Sequence, residues 1–193
     1  MRKYLLAAAL AAVAGPALAH TGHGASTGFV HGVLHPLTGA DHLLAMLAVG
    51  LWSGFALSTR LWAGAAAFMG AMVAGAALSW AGVPLPGVEG MIAASVLAFG
   101  VLAAFAHRGQ ARWVTGASLG AIALFGICHG HAHASEATGA ALAYLAGFLV
   151  STAALHLTGI VLARAVADAR AARTLRRAAG GALAASGAWL IAG

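Results

Sequence analysis

Residues 29–46 read FVHGVLHPLTGADHLLAM, and the fold turns on how this stretch passes through an apolar environment. Proline has no N–H to give and glycine lacks side-chain restraint. Pro36 and Gly39 therefore interrupt any helix that runs through the stretch and free backbone groups at the interruption. We expect a first helix broken near Pro36 and Gly39, with Asp41 and His42 in the opening turn of its continuation. The positive end of the helix dipole favours the Asp41 carboxylate there. A capping role would account for Asp41 alone, but not for His35 and His42 flanking the same break, because ionisable side chains in a span are costly. A carboxylate between imidazoles holds a divalent cation and offsets the unfavourable dipole.

On the carboxyl side, apolar runs lie near residues 41–59, 61–82, 87–106, 112–130, 138–163 and 177–192. All but the last approach the ~20 residues that a spanning helix needs. The expectation is an all-α membrane protein with about six transmembrane helices. The breaks between them are residues 58–60, 84–87, 107–110, the histidine-rich segment after Gly130, and the arginine-rich stretch 164–177. Trp62, Trp80, Trp113 and Trp189 fall near span ends, where amphipathic rings favour the headgroup layer. Composition agrees: 193 residues are 62% hydrophobic and 7% charged, with a mean hydropathy of +0.92. Those values exclude a water-soluble enzyme and a disordered chain. The 27 glycines let helix backbones approach closely, and the single Cys128 permits no internal disulfide.

On the amino side, Arg2 and Lys3 precede an apolar run over residues 4–13 and the triplet Ala17-Leu18-Ala19. This is the layout of a cleavable signal peptide, residues 1–19, whose apolar run is too short to span a bilayer comfortably. Cleavage leaves a single transmembrane domain, residues 20–193, with His20 at its outer terminus. The loops after spans one, three and five then face inward. They hold every remaining basic residue: Arg60, then Arg108 and Arg112, then Arg164, Arg170, Arg173, Arg176 and Arg177. Two independent signals thus give one orientation, and the pI of about 11.2 records topology, with attraction to anionic inner-leaflet lipid as a secondary effect. No basic-aromatic groove remains that would call for nucleic acid.

Eight of the ten histidines fall on the opposite side, all but His107 and His156. His20 and His23 lie at the mature terminus, His31, His35 and His42 around the broken helix, and His129, His131 and His133 between spans four and five, while Glu89 opens the third span. In FGICHGHAHASE, residues 125–136, a helix would place His129, His133 and Glu136 on one face at i, i+4 and i+7 and turn His131 elsewhere. Neutral imidazole and carboxylate at that spacing suit nickel, cobalt and zinc. A solvated, pH-responsive loop is the plainer alternative. The pattern H-G-x-x-H occurs twice, at His31 to His35 and His129 to His133, each just before a helix that enters from the outer side. The His20/His23 terminus offers a free amine and imidazoles for chelation, or is an unstructured tail. Cys128 reads as a small buried hydrophobe more readily than as a thiolate. Glu89 either caps its span or completes an outer vestibule. His156 reads first as a buried histidine hydrogen-bonded to a neighbouring helix, and second as an inner way-station for an ion.

These residues resemble the HupE/UreJ family of small membrane proteins associated with nickel enzymes. The resemblance covers nearly the whole chain and rests on the signal, the spans, the H-x5-D-H element at His35, Asp41 and His42, and the H-G-x-A-H-x-x-E element at His129, His133 and Glu136. It implies secondary permeation of Ni2+ or Co2+ across a bacterial cytoplasmic membrane, linked to hydrogenase or urease maturation. It also implies that His35, Asp41, His42, His129, His133 and Glu136 are the transport residues, with histidine clusters on the periplasmic side. His20, His23, His31 and His131 form a second rank that the resemblance does not fix. No cofactor beyond the transported ion is called for. No Walker-type phosphate loop occurs, and inward movement of a divalent cation down 100 mV gains about 4.6 kcal/mol, enough to support uptake without a pump.

Two other classes share parts of the pattern. A membrane metal sensor or chaperone would keep the same ligands without a path through the bilayer. An intramembrane serine protease would use Ser118 of the G-x-S-x-G run at Gly116 to Gly120 with a histidine such as His156. Helix packing through Gly116 and Gly120 accounts for that run more simply.

Overall fold

A computed structural model of the chain describes residues 28–137, 140–167 and 171–192. The expected signal peptide, His20 and His23 lie outside the described residues. The regular structure among those described is all helical: α1 Gly28–Thr38, α2 Ala40–Ala56, α3 Ala63–Trp80, α4 Val88–Phe105, α5 Arg112–Glu136, α6 Ala141–Val166 and α7 Ala172–Ala192.

α1 and α2 meet at an angle of 80° and together form one broken apolar segment. The break falls at Gly39, which is extended (φ −91°, ψ 118°), whereas Pro36 sits inside the last turn of α1. Proline there removes the N–H that would bond the Gly32 carbonyl one turn back, which weakens the end of α1 just ahead of the break. The Gly39 N–H still donates to the His35 carbonyl at 3.3 Å, and the Leu43 N–H donates to the Gly39 carbonyl at 3.0 Å. These two bonds carry backbone pairing across the bend, where an apolar surrounding penalises unpaired groups.

Four helices, α3 to α6, are long and apolar enough to cross a membrane, five spans counting the bent pair. The expected sixth, α7, begins with Arg173, Arg176 and Arg177 and does not reach the same apolar length. It packs along α4, and the Arg176 Nε–H donates to the Ala104 carbonyl at 3.2 Å. The other main pairings are α3 with α5, α2 with α6, and α1 with α6. Small residues set these approaches. A Cβ at Gly130 of α5 would land on the Met72 carbonyl of α3, and one at Gly32 of α1 on the Tyr144 carbonyl of α6. These are the glycines of the two H-G-x-x-H runs. Both runs themselves lie within helices, the first in α1 just ahead of α2 and the second near the end of α5 ahead of α6. Gly116 and Gly120 are different: a side chain there would meet nothing within 4 Å, so they do not pack helices together as expected.

Polarity is arranged inside out for a multi-pass membrane protein. Trp62, Trp80, Trp113 and Trp189 are exposed together with many leucines and valines, while Trp52 is buried. The interior holds His42, His129, His133, His156, Ser53, Ser95, Ser118, Ser151 and Thr152 alongside the apolar core.

Candidate metal centre

Three elements converge where the broken helix turns. α1 carries His35 in its last turn, α2 carries His42 in its first turn, and the final turns of α5 carry His133; one ring nitrogen from each lies within 4.8 Å of the others. The sharp bend is what allows His35 and His42, seven positions apart, to face one point, with ring centroids 5.5 Å apart. His133 reaches the same point from α5, its ring 4.7 Å from that of His35 and 4.4 Å from that of His42. α6 closes the side: the Phe148 ring stacks on His133 at 4.7 Å, and Tyr144 stands against His31 and His35 at 5.5 and 6.0 Å. The sequence reading missed this aromatic wall, although Tyr144 and Phe148 share a helix face four residues apart.

Asp41 stands behind the His42 ring, and Glu136 stands beside His133 and His35. Asp41 Oδ1 accepts from the His42 backbone N–H at 2.9 Å and contacts Nδ1 of the same ring at 2.5 Å. Gly39, not Asp41, is the N-cap residue of α2, so the plain capping reading does not hold. Glu136 Oε2 lies 3.3 Å from His133 Nδ1 and 3.8 Å from His35 Nε2. A carboxylate on Nδ1 fixes the ring's tautomer and turns the bare Nε2 outward as a ligand. The Nε2 atoms of His42 and His133 face each other directly. Two ring nitrogens so placed either share a proton or, both unprotonated, offer two ligand atoms to one cation. With both carboxylates ionised, a divalent ion at this point makes the local charge zero, which lowers the cost of holding it out of water.

The remaining sequence candidates are placed as follows. His129 lies one turn deeper on α5, its Nδ1–H donating to the Phe125 carbonyl at 2.9 Å and its ring 5.3 Å from His42. His31 stands on α1 with its ring 6.1 Å from His35 and is exposed. His131 turns away as expected, its Nε2–H donating to the Val83 carbonyl at 2.8 Å. Glu89 is exposed in the first turn of α4 and Cys128 is buried; neither joins the histidine group. His156 is buried, but neither of its ring nitrogens has a hydrogen-bond partner among the described residues, contrary to the helix-to-helix bond expected.

The Ser118 hydroxyl donates to the Val114 carbonyl of its own helix at 2.9 Å, an ordinary way to satisfy a serine in an apolar helix. Ser118→Ala therefore leaves divalent-metal binding at the unsubstituted level, read by calorimetry on the purified protein. A drop of tenfold would reinstate a role for the hydroxyl.

Comparison with known proteins bears on the whole chain. The family described as HupE / UreJ protein matches residues 8–190. Protein HupE of Rhizobium leguminosarum bv. viciae is 40% identical over 191 residues, covering 95% of each chain. No solved structure matches. The chain belongs to the HupE / UreJ family.

Proposed function

We propose that the protein is a secondary transporter for a divalent transition metal, Ni2+ first and Co2+ second, moving it inward to supply nickel-enzyme maturation. The observation that carries this reading is the convergence of His35, His42 and His133, backed by Asp41 and Glu136 and walled by Tyr144 and Phe148. Three imidazoles suit late first-row divalent ions better than Mg2+ or Ca2+, which take oxygen ligands. The burial of His42 and His133 among helices long and apolar enough to cross a membrane favours passage over surface storage. The histidine end of the bundle is taken as periplasmic, because the arginines cluster at the other end. In this mechanism the histidines replace water around the ion, Asp41 and Glu136 neutralise its charge, and ligand exchange deeper in the bundle passes it on.

The test is Ni2+ uptake into vesicles holding the purified protein, with Co2+, Zn2+ and Cu2+ as competitors. Accumulation inside the vesicles that is lost with His42→Ala and His133→Ala supports a transporter. Stoichiometric binding with no internal metal identifies a sensor or chaperone and overturns the transport reading.

A further inference from the structure

Buried polar atoms without hydrogen-bond partners are rare in folded proteins, and inside a membrane protein they mark ion or water paths. Among the described residues the orphaned atoms include His129 Nε2, Thr152 Oγ1, Ser53 Oγ and both ring nitrogens of His156. His129 and Thr152 are fully buried and His156 is 1% exposed.

Their depths can be read along the helices. Phe148 packs against the three-histidine group, and His156 follows eight positions later on α6, about 12 Å deeper at 1.5 Å per residue. α2 gives the same depth independently: Gly50 lies eight positions beyond His42, and a Cβ there would strike the His156 carbonyl. His129 sits one turn below His133, roughly halfway down. The Phe68 ring of α3 lies between the two deeper histidines, 5.1 Å from His129 and 5.3 Å from His156. Thr152 is one turn above His156 on α6, which places its hydroxyl on the same helix face. The steps are therefore the three-histidine group, His129, and His156 beyond Phe68.

We propose that His156, with the Thr152 hydroxyl above it, is a second and inner coordination position for the transported divalent metal, receiving it from His129 past the Phe68 ring. This rests on the transport reading given above. One imidazole and a hydroxyl make a weaker site than the three-histidine group. A relay requires that order, because an ion must leave its inner position as readily as it enters. Imidazole is one of few side chains able to offer an uncharged nitrogen ligand at that depth, and neither nitrogen is committed to a protein partner. A histidine kept only for packing would gain from replacement by an apolar residue of similar size, since the orphaned atoms would disappear.

That contrast supplies the experiment. Full-length protein carrying His156→Leu is compared with the unsubstituted protein in three measurements: Ni2+ binding by calorimetry in detergent, the unfolding midpoint, and Ni2+ flux into phosphatidylcholine–phosphatidylglycerol vesicles. The expected result is binding within twofold, a midpoint unchanged or raised, and flux reduced at least tenfold. A leucine protein that binds and transports like the unsubstituted protein overturns the inner position and leaves the transporter reading intact. Unsubstituted protein that binds Ni2+ but admits none overturns both. Should the leucine protein fail to fold, His156→Cys and His156→Asn decide. Both are smaller than histidine, but only the cysteine is a strong metal ligand, so its flux should exceed that of the asparagine protein at least fivefold. Equal flux through the two overturns the inference.

Discussion

His42→Ala lowers the affinity of the purified protein for Ni2+ by about 100-fold or more, some 2.7 kcal/mol, while Asp41→Asn lowers it by roughly 10- to 100-fold. The order of the two losses carries the meaning. His42 contributes a nitrogen to the three-histidine group, and its Nε2 faces that of His133. Alanine removes the ligand outright and leaves two imidazoles, too few to displace most of the water from the ion. Asp41 instead contacts the far side of the His42 ring and anchors it through the backbone N–H as well. Asparagine preserves the shape there but removes the charge that fixes the tautomer and balances the cation. Titration calorimetry at constant pH and ionic strength measures both. A larger loss for Asp41→Asn than for His42→Ala would make Asp41 a direct ligand and reject the arrangement of nitrogens in front with Asp41 behind.

That distinction also marks the limit of what the sequence discloses. The break near Pro36 and Gly39, the apolar segments and the one-sided arginines follow from local chemistry, because helix interruption and membrane length are properties of short stretches. The helical spacing of His129, His133 and Glu136 likewise depends only on 3.6 residues per turn. Which nitrogen points inward does not. It depends on the 80° bend and on Tyr144 and Phe148 closing the wall from a helix more than a hundred positions away. The sequence reading grouped Asp41 and Glu136 with the histidines as transport residues; spacing alone does not show that Asp41 lies against His42 Nδ1 and Glu136 against His133 Nδ1 and His35 Nε2. The H-G-x-x-H runs illustrate the same limit. Their histidines were noticed for their chemistry, but their glycines act by closeness to another helix, which no single segment records.

The second large effect comes from one of those glycines. Gly130→Ala lowers stability by about 1–3 kcal/mol, the range for forcing extra volume into a packed interior, and weakens Ni2+ binding at the same time. A methyl group at Gly130 would overlap the backbone of α3 at Met72, a rigid obstacle and not the yielding tip of a side chain. α5 must therefore move away from α3 or rotate about its axis. Gly130 lies between His129 and His133, so either movement draws His133 from His35 and His42 and breaks its stacking on Phe148. Gly120→Ala on the same helix is the control. Its new methyl group meets nothing within 4 Å, and alanine is the better helix former by up to about 1 kcal/mol. Unfolding midpoints in detergent, paired with calorimetric Ni2+ titration, should show Gly130→Ala reduced in both measurements and Gly120→Ala reduced in neither. If Gly130→Ala bound Ni2+ with unchanged affinity despite its lower midpoint, the metal centre would not depend on the close α3–α5 contact. The positioning of His133 would then have to come from α6 alone.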